Sequence, residues 1–138
     1  MSNPSVHEVL LSSFIEKKKV PHLLLFSGKE PGTMKMSALS FAKKWLQSIS
    51  TEMLFFTEEG SHPDIHYVST EGKLSLHSIT NIRLITEKMA YSPFKAAGKV
   101  IIIDSAERML PTSANALLKS LEEPLGQTVI ILTTTKEE

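Results

Sequence analysis

The sequence predicts an α/β fold: a mostly parallel sheet layered between helices. Short unbroken apolar runs, which suit buried strands, occupy residues 23–26, 100–103 and 129–132. Strands covered on both faces of a parallel sheet read in this unbroken way. Between the runs, apolar residues recur every three or four positions over lengths that suit crossover helices. Such crossovers are right-handed, so the strands run parallel with helices on both faces.

Each element has its own signal. Val6, Val9, Leu10, Phe14 and Ile15 follow a helical period that must stop before Pro21. The run at 22–27 then predicts a strand hidden on both faces, closed by the loop Gly28-Lys29-Glu30-Pro31-Gly32. A helix is predicted over 33–47, with Met36, Leu39, Ala42 and Trp45 or Leu46 along one side. Residues 48–63 show no period and end in a loop at 60–63. Residues 64–69 alternate, which predicts a strand with Ile65 and Tyr67 on one face. Leu76, Ile79, Ile82, Ile85 and Met89 predict an amphipathic helix ended by Pro93. Residues 99–104 are the strongest strand signal. Thr112 or Ser113 is the expected N-cap of a helix running to about 122, closed by Pro124. Residues 128–133 form the last strand.

Composition narrows the function. The 138 residues suit one domain, and 41% apolar with 22% charged residues excludes disordered and fibrous classes. Fifteen basic residues balance 15 acidic ones, against a protein built to coat DNA or a membrane surface. There is no cysteine, which removes disulfides, thiolate zinc sites and cysteine nucleophiles. No apolar run reaches membrane-spanning length and no secretory signal opens the chain, so a cytoplasmic domain is expected. The chain ends shortly after a core strand, and a fragment is expected.

The loop after the first strand invites comparison with a phosphate-binding P-loop, which surrounds phosphates with backbone N–H groups and adds Lys and Ser/Thr. Counted from Gly28, Thr33 falls on the second glycine, Met34 on the lysine and Lys35 on the hydroxyl position. One extra loop residue restores Lys35 as the lysine, yet Met36 then follows it. The strand ending in Asp104 resembles one that holds magnesium, but Ser105 stands where a catalytic acid is usual. Asp104 and Glu107 therefore also suit turn and helix-capping roles.

Other clusters carry less. His62, Asp64 and His66 alternate on an extended segment, but Pro63 and the lack of a fourth ligand make loop histidines the better reading. Ser27, Ser37 and Ser113 have no base at a telling spacing. Residues 17–19, Lys43 and Lys44 read as solvated helix faces, and 7% aromatic residues is poor for single-strand stacking. Phe41 and Trp45 read as core.

Three longer stretches resemble one family. They are residues 99–110 (Lys-Val-Ile-Ile-Ile-Asp-Ser-Ala-Glu-Arg-Met-Leu), 115–124 (Asn-Ala-Leu-Leu-Lys-Ser-Leu-Glu-Glu-Pro) and 128–135 (Thr-Val-Ile-Ile-Leu-Thr-Thr-Thr). With Ser61-His-Pro-Asp64, Ile82-Arg83 and the first strand, the chain resembles the clamp-loader AAA+ ATPases of bacterial DNA polymerase III, delta-prime subunits above all. The resemblance implies that residues 1–138 are an N-terminal AAA+ domain, a P-loop-type three-layer α/β/α fold with its sheet incomplete at the C-terminus. Lid and collar domains would lie outside it. The family's nucleotide-binding positions map to Gly28, Thr33, Met34, Lys35, Asp104, Ser105 and the sensing residue Thr134 or Thr135. Asn115, Lys119, Glu122, Glu123 and Pro124 are the signature and possible contact positions, while Leu117, Leu118 and Leu121 read as core.

The family's four-cysteine zinc module would fall within 48–60, where this chain has no cysteine, so no zinc is expected. Both nucleotide motifs depart from those of motor subunits, so neither ATP nor magnesium is expected. The resemblance implies a non-catalytic stator beside gamma/tau-type and delta-type subunits, in a complex that loads the sliding clamp onto primed DNA. The rival reading is a motor-type ATPase using Lys35 and Asp104. A P-loop kinase-like enzyme would need more arginines than Arg83 and Arg108.

Overall fold

A computed structural model describes residues 13–17, 20, 23–51, 53–57, 62–69, 98–109, 111, 112, 115 and 127–134. Its elements are β1 (Leu23–Ser27), α1 (Pro31–Ile49), β2 (Ile65–Val68), β3 (Gly98–Ile103), a 3-10 turn (Ala106–Arg108) and β4 (Gln127–Thr134). Residues 13–16 are also helical. The four strands form one sheet in the order β1-β4-β3-β2. Every pairing is parallel: Leu23 lies opposite Ile130, Ile65 opposite Val100 and Val100 opposite Val129.

The strand order explains the sequence pattern. β3 and β4 are the inner strands, so residues 100–103 and Val129, Ile130 and Ile131 are almost wholly buried. Side chains alternate across the sheet. Val100, Ile102, Val129 and Ile131 pack with Ile65 against Ala38, Phe41, Ala42, Trp45 and Leu46 of α1. Ile101, Ile103 and Ile130 occupy the opposite face with Val68, Met109 and Leu132.

Three expectations are corrected. β1 is an edge strand among the described strands: Leu24 and Phe26 pack toward α1, while Leu25 is 63% exposed. A place at the edge, not its apolar content, decides its burial. On α1, the buried stripe is Met34, Ala38, Phe41, Ala42, Trp45 and Leu46, and Met36 is 73% exposed. Met36 stands two residues from Ala38, roughly 200° around the helix, so it cannot share that face. Finally, Pro111 and Thr112 are already helical, so Thr112 is not the cap; Pro belongs in a first turn, where its missing N–H costs nothing.

The predicted strands match the observed ones within a residue or so. α1 extends two residues further at each end than the period indicated, starting at Pro31 with Glu30 as its N-cap and ending at an extended Ser50. The loop beyond it is tied back to α1, since Leu54 donates its N–H to Gln47 Oε1 at 2.9 Å. The predicted helix over 76–89, and Leu117, Leu118 and Leu121, lie outside the described residues.

Close approach between α1 and the sheet depends on Gly98. A Cβ there would stand 2.7 Å from the Gln127 carbonyl oxygen, 2.7 Å from Ile49 Cδ1 and 3.0 Å from Trp45 Cη2.

Candidate functional site

All four strands point their carboxyl ends to one edge of the sheet, the edge where open parallel α/β folds bind ligands. The chain leaves β1 at Gly28 and enters α1 through the loop, as a P-loop would. Gly28 donates its N–H to the Thr134 carbonyl at 3.2 Å, which pins the start of the loop to the end of β4.

The start of the loop is packed by Met34. Met34, at the position of the P-loop lysine, is 7% exposed, and its Sδ lies 3.6 Å from where a Cβ on Gly28 would stand. Glu30 is the N-cap of α1, and its carboxylate accepts from the Thr33 hydroxyl at 3.2 Å. A carboxylate already sits where the positive end of the helix would attract phosphate. Pro31 brings no N–H to the loop at all. Between Gly28 and Met34 the loop thus lacks the backbone donor at Pro31, and its single acid, Glu30, is balanced in charge by Lys29.

The other strand ends are bonded to one another. Asp104 follows β3, and its backbone N–H donates to the Val68 carbonyl at 2.9 Å. Its carboxylate accepts from the Thr133 hydroxyl at 3.0 Å and from the Tyr67 hydroxyl of β2. Burial, and then the Asp104 carboxylate, push the Tyr67 phenol up to about 12. Ser105 adopts a left-handed conformation with φ 53°, so the chain turns at once into the 3-10 turn. The Glu107 carboxylate there accepts from the Thr134 hydroxyl at 2.7 Å. As expected, Asp104 stands at a turn and Glu107 in the first turn of a short helix, and each also receives a hydroxyl from the end of β4.

Lys35 is exposed on α1 with its Nζ 4.6 Å from the centre of the Tyr67 ring. A cation over an aromatic face is attracted by the ring's quadrupole. The structure therefore gathers Gly28, Met34, Lys35, Asp104, Ser105 and Thr134 at one edge, with Thr33 exposed beside them. Asn115 is an exposed helical residue. Lys119, Glu122, Glu123, Pro124 and Thr135 lie outside the described residues.

Sequence reasoning missed Glu30, Pro31, Tyr67 and Thr133. The first two were legible in the loop itself, as a carboxylate and a missing donor. Tyr67 and Thr133 had no local signal, since only strand register brings them to Asp104.

At the opposite edge, His62 and Asp64 are both buried. The Asp64 N–H donates to His62 Nδ1 at 3.0 Å, while the Asp64 carboxylate lies 3.7 Å from the same nitrogen. Nδ1 therefore acts as an acceptor for the Asp64 N–H. Burial pushes the neighbouring Lys99 ammonium down, and Asp64 draws it part of the way back. Among the described residues, no three His, Cys, Asp or Glu side chains converge as a metal would require. No helix among them is long and apolar enough to cross a membrane.

The comparisons with known proteins agree with this architecture. The family model described as "DNA polymerase III, delta subunit" matches residues 3–138. The chain belongs to that DNA polymerase III family. DNA polymerase III subunit delta-prime of Bacillus subtilis is 35% identical over 139 residues, 95% of this chain and 41% of the relative. Subunit tau of the same organism is 32% identical over 138 residues, 91% of this chain and 23% of the relative. The crystal structure of a DNA polymerase III gamma subunit-related protein from Thermotoga maritima superposes with a TM-score of 0.63 at 25% identity, covering 91% of this chain and 39% of that one. The chain thus spans about two-fifths or less of each of these DNA polymerase III proteins. Its all-parallel sheet with α1 packed on one face is the α/β architecture that the chain shares with that gamma subunit-related protein.

Proposed function

We propose that this DNA polymerase III subunit is of the delta-prime type and works without hydrolysing ATP. It serves as a fixed face within the clamp loader, beside gamma/tau-type and delta-type neighbours, while the assembled complex places the sliding clamp on primed DNA. One observation carries this reading: Met34, at the position of the P-loop lysine, is buried with its Sδ 3.6 Å from where a Cβ on Gly28 would stand. Glu30, Pro31 and the hydroxyl partners of Asp104 support it, because a magnesium–triphosphate needs free backbone donors and a free carboxylate.

A motor-type reading, with Lys35 and Asp104 serving ATP, has its own support in the tau relative and the gamma-related structure. In a reconstituted clamp loader the delta-prime reading expects Lys35→Ala in this subunit to leave ATP turnover unchanged. A loss of most of the turnover would favour the motor reading.

A further inference from the structure

We infer that Tyr67 is a latch that holds both remaining nucleotide-type side chains, Lys35 and Asp104, away from the loop at Gly28–Met34. The inference rests on the reading of that loop as closed, and adds the device that keeps it closed. Lys35 and Asp104 come from different elements, one from α1 and one from the end of β3. In a working site they would meet across the phosphates, the lysine on the anion and the carboxylate on its metal. Here a single side chain of β2 engages both: its ring face carries the Lys35 ammonium at 4.6 Å, and its hydroxyl donates to the Asp104 carboxylate.

The two contacts reinforce each other. Asp104 accepting from the phenol leaves negative charge near the ring, which strengthens its hold on the cation. Thr133 donates to the same carboxylate at 3.0 Å, so the acid has two neutral hydroxyl donors. Tyr67 itself cannot slide away, because β2 is fixed in register with β3, Tyr67 lying opposite Ile102. The ring also packs against the main core on the α1 side of the sheet. Tyr67 is a positioning residue: it acts through the two groups it holds.

The test measures MgATP affinity by calorimetry on the full-length subunit, in a Met34→Ala background that opens the loop. Tyr67→Leu keeps bulk but removes both contacts; Tyr67→Phe keeps the ring and removes only the hydroxyl. The expected result is about a tenfold gain in affinity for Tyr67→Leu, worth about 1.4 kcal/mol, a smaller gain for Tyr67→Phe, and loss of the gain when Lys35→Ala is added. Folded Tyr67→Leu protein with unchanged affinity overturns the latch and leaves the closed loop standing. Tight MgATP binding by the unmodified subunit overturns the closed loop, and the Tyr67 variants still decide the latch. Should Tyr67→Leu fail to fold, proton NMR of the unmodified subunit decides: Lys35 side-chain methylene signals shifted upfield by the ring support the latch, and unshifted ones overturn it.

Discussion

Thr134 and Glu107 lie 27 residues apart in sequence, yet the Thr134 hydroxyl donates to the Glu107 carboxylate at 2.7 Å. Its neighbour Thr133 donates to Asp104 at 3.0 Å. Successive residues of a strand face opposite ways, so the end of β4 grips the segment after β3 from both sides. Hydrogen bonds to a charged acceptor contribute about 1.5–3 kcal/mol, less where the acceptor can recover water. Thr134→Val should lower the melting temperature by several degrees, whereas Thr134→Ser should stay near the parent. Equal melts for Val and Ser would remove the bond from the stability of this edge.

Gly98 and Gly32 should respond to alanine with opposite signs. A Cβ on Gly98 meets the Gln127 carbonyl oxygen at 2.7 Å, and backbone cannot step aside as a side-chain tip can. Overpacking of this kind costs about 1–3 kcal/mol. Gly32 lies within α1 with nothing within 4 Å of its would-be Cβ, so Gly32→Ala should stabilise the helix by about 0.4–1 kcal/mol. Urea unfolding of both variants checks the pair.

Tyr67 gives the fold a dependence on alkaline pH. Its phenol is raised from 10.0 to about 12, so the folded chain favours the neutral form. The unfolded chain gives up that proton first as pH rises. The stabilisation is therefore complete below pH 10 and is lost as pH climbs from there to about 12. Melting temperatures across that window should fall less steeply for Tyr67→Phe than for the parent. Parallel slopes would contradict the raised phenol, whose first cause is burial and whose second is the Asp104 carboxylate.

His62 has a structural duty that one substitution can mimic. Its Nδ1 accepts the Asp64 N–H at 3.0 Å in a buried turn. Asn carries an acceptor oxygen at a similar distance from the backbone, whereas Ala carries none. His62→Ala should cost about 1–3 kcal/mol for the orphaned donor, and His62→Asn should recover much of it. Thermal melts of the two variants decide, and equal losses would mean that ring packing, with Phe56 at 5.3 Å, matters more than the bond.

The sheet was legible because burial on two faces leaves an unbroken apolar run, as at 100–103 and 129–131. That signal reports composition, not position, so it failed for β1, whose Leu25 lies open at a described edge. The α1 face slipped because the predicted stripe starts from Met36, whereas the helical period through Met34, Ala38, Phe41, Ala42 and Trp45 is the one that packs on the sheet. The departures from a P-loop were visible at Thr33, Met34 and Lys35. The hydrogen bonds at the site were not: Asp104 meets Thr133 across 29 residues, through a register that pairs Ile103 with Leu132.

The closed loop is tested most directly by melting the full-length subunit with and without MgATP. A ligand that binds only the folded state at a hundred times its Kd adds about 2.7 kcal/mol, a rise of several degrees. With Met34 packed on Gly28, the expected result is a cooperative melt that millimolar MgATP leaves unmoved. A clear rise that Lys35→Ala abolishes would contradict it and make the subunit a nucleotide-binding one.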